Sequence, residues 1–294
     1  MLAEPSRFPF IVLDVNMLRD DTMLEQLSVR CNQQQLELLL PDAVGYEQCK
    51  NFPHAFETIR GSLMPLSKYS HLVCVCRRLP DMGREEIDSR TPITSIVEQP
   101  ATEILRDALS RLSRGDDAVL KAMLTIEFEK RVQASNEIWK DHERIRDTLK
   151  ELGKQLKVAT CGDLLSRLRS SDQEKQDNAL IELLSSQFVM NFAYQALKRK
   201  DIDDVSAIKL LSASSMEVRF LLGLLSVAAI WLAKGGLESA KGEKLSNDLT
   251  DMEYAIMGSV CAEFATRDGK SKTTSKLIAN AHTAWRTKLT SLIS

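Results

Sequence analysis

Four carboxylates stand where alternating strands and helices would carry acidic groups to one edge of a sheet. Asp14 and Asp268 each follow a short apolar run that predicts a buried strand, and Glu47 and Asp251 each lie near the predicted start of a helix. Carboxylate oxygens gathered in this way form a hard site suited to Mg²⁺ or Mn²⁺. Those ions can turn water into a nucleophile that attacks a phosphodiester. The pattern therefore predicts a divalent-metal site.

The N-terminal part of the chain predicts parallel strands joined by helices. Residues 8–13 are continuously apolar, which is typical of a strand buried on both faces, and residues 36–40 predict a second strand. A helix over residues 43–50 carries Glu47, and residues 71–76 predict a third strand. A strand followed by a helix and another strand favours parallel pairing, with ligands bound outside the carboxyl ends of the strands.

Helical periodicity dominates the middle of the chain. Residues 117–156 predict one long amphipathic helix or a helical pair. We therefore expect an α/β fold in which residues 1–80 and 243–294 form a mainly parallel sheet flanked by helices, interrupted by a large all-α insertion over residues 81–242. Two unrelated terminal domains are disfavoured, because either end alone would be too short to bury an adequate core.

The α/β pattern returns near the C-terminus. Residues 236–247 predict a polar linker, and Thr250 with Glu253 predicts a capping box that places Asp251 at the first position of a helix. Asp248 lies three residues earlier and is an alternative third carboxylate or an auxiliary ligand. A short strand and a final amphipathic helix over residues 274–293 follow.

Lysines follow the last of the four carboxylates. Lys270, Lys272 and Lys276 come directly after Asp268, with no acidic residue beyond it. We expect these ammonium groups to contact substrate phosphates beside the site. A solvated helix start remains the open alternative for the same three residues.

Composition limits the classes of function. The 294 residues are 44% hydrophobic and 27% charged, and 39 basic against 41 acidic residues give a net charge of -2. Bulk charge therefore does not predict nucleic-acid binding, and an anionic substrate must be held by local patches or metal. The longest apolar run, residues 220–233, is shorter than the roughly twenty residues of a membrane-spanning helix, so it predicts a buried core helix. With no signal-peptide pattern in the first residues, we expect a cytoplasmic protein without a membrane partner.

The six cysteines predict buried thiols rather than a zinc site. Cys74 and Cys76 lie on one face of a predicted strand, and no second pair of cysteines or histidines follows at the spacing of zinc ligands.

Three segments together resemble a known family. FIVLDVN, LLLPDAVGYEQ and DLTDMEYAIMGSVCAEFATRD are similar, in this order, to the signature segments of PIN-domain nucleases, over roughly residues 5–65 and 245–292. The signature positions are matched by Asp14 with Asn16, by Glu47, by Asp251, and by Thr266 with Asp268. The resemblance implies a metal-dependent endoribonuclease in which the four carboxylates hold one or two Mg²⁺ or Mn²⁺ ions. Asn16 and Thr266 are expected to support the carboxylates by hydrogen bonding.

The resemblance leaves the substrate and the partners open. A DNA-directed nuclease of the flap type shares this sheet arrangement, and a helical scaffold with a degenerate PIN core is the alternative that is not an enzyme. The predicted insertion is expected to restrict access to the site or to recruit an inhibitor, a sensor or a companion protein. A role as a toxin or a phage-defence effector follows from the resemblance alone, and homo-oligomerisation is left open.

Overall fold

The computed structural model of the protein describes residues 7–49, 54, 56–160, 162–213, 215–235 and 242–293. Within these ranges the elements follow in the order β1 (Phe8–Leu13), α1 (Asp21–Gln34), β2 (Glu37–Leu40), α2 (Asp42–Cys49), α3 (Phe56–Ser67), β3 (Val73–Val75), α4 (Leu79–Ser89), α5 (Gln99–Leu112), α6 (Ala118–Ala159), α7 (Asp163–Leu168), α8 (Gln173–Leu184), α9 (Gln187–Lys198), α10 (Asp204–Ser212), α11 (Met216–Ala233), α12 (Gly242–Val260), β4 (Cys261–Ala265) and α13 (Gly269–Ile293).

Four parallel strands form one sheet in the order β3, β2, β1, β4. Parallel neighbours need crossover connections, and α1 joins β1 to β2 while α2 and α3 join β2 to β3. Ile11 and Leu38 are paired across the two central strands and are both fully buried, because helices cover the sheet. The predicted α/β class with a parallel sheet is confirmed.

The strand order reverses direction between β1 and β4. The chain moves outward from β1 through β2 to β3, and β4 then returns to the other side of β1, pairing Leu13 with Ala265. Such a reversal is a topological switch point, where the connections leave the two strands toward opposite faces and open a crevice at their carboxyl ends. The fold therefore offers a natural ligand position beside the ends of β1 and β4.

Between β3 and β4 the chain is helical, and its most apolar helix is internal. The predicted core helix is α11, which packs against α4, α6, α12 and α13. It is long and apolar enough to cross a membrane, but 72% of it is buried inside the protein, as in the core helix of a soluble protein. The Ser215 hydroxyl caps it by accepting the amide of Val218 at 3.2 Å. The prediction of a buried helix is confirmed.

The remaining long helices differ in part from the sequence expectations. Residues 118–156 lie in one continuous helix, α6, with Asp117 as its N-cap, which is the first of the two predicted alternatives. The last helix begins at Gly269, earlier than the predicted position 274, because Asp268 caps it. At the start of this last helix, capping rather than periodicity sets the limit.

α12 begins at Gly242, well before its predicted start. The prediction that Asp251 opens this helix is wrong, and so is the prediction of a polar linker for the part of residues 236–247 that the structure describes. Leu245 and Met252 are buried at helical spacing on the same face, which carries the helix through the polar residues between them. Asp251 therefore lies in the interior of a helix, not at its N-terminus.

Buried thiols account for the cysteines that the structure describes. The free and buried ones are Cys31, Cys74, Cys76 and Cys261. Burial raises the pKa of Cys31 to about 11 and that of Cys74 to about 12, so both thiols stay protonated near neutral pH. The prediction of buried thiols is confirmed for these four. Cys161, the side chain of Cys49 and residues 236–241 of the predicted linker lie outside the described residues.

Candidate functional site

Asp14 lies at the switch point of the sheet, directly after β1. Its side chain is only 5% exposed, and its backbone amide donates to the carbonyl of Ala265 at 3.1 Å, which continues the pairing with β4. Oδ2 accepts the Thr266 hydroxyl at 2.5 Å and the Asn16 side-chain amide at 3.2 Å, and Oδ1 accepts the Asn16 backbone amide at 3.3 Å. The buried carboxylate of Asp14 at the end of β1 is therefore hydrogen-bonded to the residue that follows β4.

Thr266 connects Asp14 to Asp268. Its hydroxyl donates to Asp14 and accepts the backbone amide of Asp268 at 2.9 Å. The Asp268 carboxylate then caps α13, accepting the amides of Lys270 at 2.9 Å and Ser271 at 3.2 Å and the Ser271 hydroxyl at 2.6 Å. Burial alone would raise the pKa of Asp268, but the Ser271 hydroxyl and these amides together outweigh it and lower the pKa. Asp268 is therefore ionised and already engaged as a helix cap.

Glu47 is joined to the same edge by Tyr254. The phenol hydroxyl of this buried tyrosine donates to Glu47 Oε2 at 2.7 Å. Burial raises the pKa of Tyr254, and the negative charges of Glu47 and Asp14 raise it further, while the backbone amide of Val15 acts in the opposite sense. The hydroxyl therefore lies within the field of both carboxylates and bridges α12 to α2.

Asp251 lies one turn before Tyr254 on α12, in a second cluster of charges. The Lys270 ammonium is 3.5 Å from Asp251 Oδ2 and makes a closer contact with Asp248 Oδ1. Burial raises the pKa of Asp251; Lys270 opposes that rise, and the nearby Asp268 and Asp248 reinforce it. For Lys270, burial alone would lower the pKa, but the two aspartates outweigh burial and raise it. The carboxylates of α12 are therefore close enough to Asp268 for mutual repulsion, and a lysine partly neutralises them.

Asp248 and the three lysines have different surroundings. Asp248 accepts the indole N–H of Trp231 on Oδ2 at 2.9 Å, so both of its oxygens are engaged. Lys270 contacts carboxylates, and all three lysines, Lys270, Lys272 and Lys276, are exposed. Phosphate contact by these three lysines stays a prediction.

The carboxylate oxygens of the candidate site are chemically suited to a divalent cation, but the carboxylates are spaced too widely to hold one without rearrangement. Asp14, Glu47, Asp251 and Asp268 supply the oxygen ligands that Mg²⁺ and Mn²⁺ prefer. Within the described ranges, however, no three His, Cys, Asp or Glu side chains are grouped closely enough to hold a metal ion. Thr266, Tyr254, Lys270 and the amides of α13 instead satisfy the four carboxylates. An ion would therefore have to replace some of these donors.

Two residues of the candidate site, Tyr254 and Trp231, were not identified from the sequence. Tyr254 is three residues from Asp251, and helical spacing puts such residues on one face, so its nearness to the site could have been found once α12 was assigned. Trp231 stands far from Asp248 in the apolar run of α11, and only the packing of α11 on α12 brings them together.

Comparison with protein-family models, with curated proteins and with solved structures finds no match to this chain. The carboxylates, their donors and the sheet edge that carries them are therefore the basis on which a function can be assigned.

Proposed function

We propose that the protein is a metal-dependent nuclease with a PIN-like core, acting on RNA. The observation that carries the proposal is the placement of the four carboxylates and their hydrogen-bond donors beside the switch point of the sheet. Asp14 is joined to Asp268 through the Thr266 hydroxyl, and Glu47 accepts the phenol hydroxyl of Tyr254 from α12. Asp251 completes the set within the field of Asp268.

The four carboxylates share one part in the proposed reaction, and two neighbouring side chains orient them. One or two Mg²⁺ or Mn²⁺ ions held by Asp14, Glu47, Asp251 and Asp268 would supply the nucleophile from water and neutralise charge on the scissile phosphate. Thr266 orients Asp14 through its 2.5 Å hydrogen bond, and Tyr254 orients Glu47 at 2.7 Å. Orienting donors of this kind fix the direction of a ligand's lone pairs. No side-chain nucleophile is required.

The order of elements supports a PIN-like assignment. The parallel order β3, β2, β1, β4 sets the ends of β1 and β4 side by side, which suits the spacing of the signature segments. We further propose the boundaries 1–80 and 243–294 for the core and 81–242 for the insertion, a cytoplasmic location, and partner recruitment or site restriction by the insertion. A toxin or defence role follows only if cleavage of cellular or phage RNA is found.

Cleavage assays test the proposal directly. Labelled single-stranded RNA and DNA are incubated with the purified protein in Mn²⁺ or in EDTA, beside the Asp14→Asn variant. Asp88→Asn is the matched control, since Asp88 is an exposed aspartate near the end of α4. We expect Mn²⁺-dependent RNA cleavage that Asp14→Asn abolishes and Asp88→Asn leaves intact. Cleavage of DNA in preference to RNA would make DNA the substrate in place of RNA. Equal cleavage by wild type and Asp14→Asn would refute the proposed active site.

One observation favours a second candidate, a binding scaffold with a degenerate core. Every carboxylate of the set is satisfied by donors of the protein itself, and the described residues contain no ready group of metal ligands. A scaffold neither binds Mn²⁺ in a way that Asp14→Asn disrupts nor cleaves either nucleic acid. The presence of all four carboxylates favours the nuclease, and the same assay decides between the two.

A further inference from the structure

A lysine ammonium lies within the acidic edge of the sheet. The Lys270 ammonium contacts Asp248 and lies 3.5 Å from Asp251, while the backbone amide of the same residue donates to Asp268 at 2.9 Å. Two groups of one residue therefore contact three of the acidic side chains. The position follows from the capping of α13, because Asp268 fixes the first turn on which Lys270 stands.

Asp248 holds the ammonium in this position. Trp231 is buried in α11 and donates its indole N–H to Asp248 Oδ2 at 2.9 Å, which leaves Oδ1 for Lys270. The Asp248 side chain is 12% exposed, against 42% for Lys270 and 38% for Asp251. The Asp248 carboxylate, fixed by its contact with Trp231, thus holds the ammonium of the long Lys270 side chain. It holds the ammonium close to the more exposed carboxylate of Asp251.

We propose that Lys270 is a built-in competitor of the divalent ion: its ammonium neutralises Asp251 in the metal-free protein, and an entering ion must take Asp251 from it. The inference rests on the proposed function and assigns a regulation to that same site. Coulomb repulsion between the ammonium and the ion weakens metal binding, and competition for the same carboxylate weakens it further. Once displaced, the ammonium stays tethered beside Asp248, at the edge where a phosphate would lie.

Titration calorimetry with Mn²⁺ alone tests this competition. Lys270→Met keeps the aliphatic stem and removes the charge, Lys270→Arg keeps the charge, and Lys157→Met removes an exposed lysine from α6. We expect Lys270→Met to bind Mn²⁺ about tenfold more tightly than wild type, equal to about 1.4 kcal/mol. Lys270→Arg and Lys157→Met should bind as wild type does. A purely structural role for Lys270 predicts the opposite sign, because structural damage weakens metal binding.

Asp14→Asn in the same titration separates the two hypotheses. If wild type binds Mn²⁺, Asp14→Asn does not, and Lys270→Met binds no more tightly than wild type, the competitor is overturned while the proposed metal site stands. If neither wild type nor Lys270→Met binds Mn²⁺, both are overturned. Should Lys270→Met fail to fold by circular dichroism, Lys270→Gln takes its place in the titration, with the same expected tightening.

Discussion

Two buried carboxylates in different parts of the molecule are held by different kinds of donor. Glu86 in α4 is 0% exposed and accepts the backbone amides of Ile93 at 3.1 Å and Glu217 at 2.9 Å. Asp14 is 5% exposed and accepts two side-chain donors, Thr266 and Asn16, beside the backbone amide of Asn16. Backbone amides in packed segments of the chain cannot turn away, whereas side-chain donors can rotate and give up their place to a ligand. The difference separates a carboxylate that holds the fold from one that is free to change partners.

Glu86 lies in the close contact between α4 and the first turn of α11. Its carboxylate lies at the N-terminus of α11, where the helix dipole favours a negative charge. Next to it, Glu217 forms an ion pair with Lys200 at 2.5 Å. A Cβ at Gly83 would lie 2.7 Å from Glu217 Oε2, so the close packing of α4 on α11 uses a glycine at that position. This site is a joint between helices rather than a crevice.

The largest expected effect is on catalysis at Asp14. Asp14→Asn should reduce Mn²⁺-dependent cleavage by more than about a hundredfold, since loss of even the partners of metal ligands costs 10–100-fold. Its free energy of unfolding should stay within about 1 kcal/mol of wild type, because the Thr266 hydroxyl can rotate to accept from the new amide. Urea denaturation and initial cleavage rates measure both. A large loss of stability with unchanged cleavage would mean that Asp14, like Glu86, stabilises the fold and has no part in catalysis.

The same chemical change at Glu86 should act on stability instead. Glu86→Gln sets an amide NH₂ against one of the two backbone N–H groups, which leaves a buried donor unsatisfied at a cost of about 2 kcal/mol. Urea denaturation measures the loss, and cleavage per folded molecule should equal that of wild type. Unchanged stability would show that the amides of α11 do not depend on this carboxylate.

A smaller effect is expected from the pH dependence of stability. Burial raises the pKa of Glu86, and the amides of Glu217, Met216 and Ile93 oppose this rise without cancelling it. The folded state therefore binds more protons than the unfolded state between the raised pKa and the ordinary value of about 4.3. Lowering the pH from neutral into this window should increase stability through Glu86, by at most about 1.4 kcal/mol per pH unit.

The comparison between wild type and Glu86→Gln isolates this contribution. Denaturation at a series of pH values should give a smaller rise in stability for the variant as the pH falls toward about 4.3. Asp251, whose pKa is also raised by burial, contributes to the wild type and the variant alike. Parallel curves for the two proteins would contradict the assignment of the rise to Glu86.

The smallest effect is expected from loss of the hydrogen bond between Tyr254 and Glu47. Tyr254→Phe removes the hydroxyl that donates to Glu47, which should lower the free energy of unfolding by about 1 kcal/mol. Cleavage should fall by less than the loss at Asp14, because the Glu47 carboxylate remains. A loss of cleavage as large as that of Asp14→Asn would mean that the phenol itself contacts the reacting groups.

The sheet was predictable because its signal is local and strong. The uninterrupted apolar run of β1 and the shorter run of β2 predict buried parallel strands, and Asp14 follows the first of them directly. The start of α12 was not predictable in the same way, since Ser246, Asn247 and Thr250 resemble capping residues and hide the helical spacing of the leucines around them. Local polar signals compete there with a long-range burial pattern, and burial decides.

Glu86 escaped the sequence analysis for a related reason. Leu79, Met82 and Gly83 define the buried face of α4, and Glu86 falls on that face at helical spacing. A glutamate on an apolar face is a signal of a buried polar contact, but its partners in the first turn of α11 are 131 residues away in the chain. Only the folded arrangement identifies the amides that it accepts.

The pairing of β1 with β4 also has a consequence in time. Asp14 and Thr266 meet at 2.5 Å although 252 positions separate them in the chain. A ribosome that adds roughly 5–20 residues per second needs roughly 10–50 s to pass from one to the other. Throughout that interval the side of β1 that β4 will cover has no strand partner, and an unpaired apolar edge invites pairing with other chains. During synthesis β1 therefore passes through a period in which it is prone to pair with other chains and Asp14 lacks its Thr266 donor, and both conditions end only when β4 and the residues after it are made.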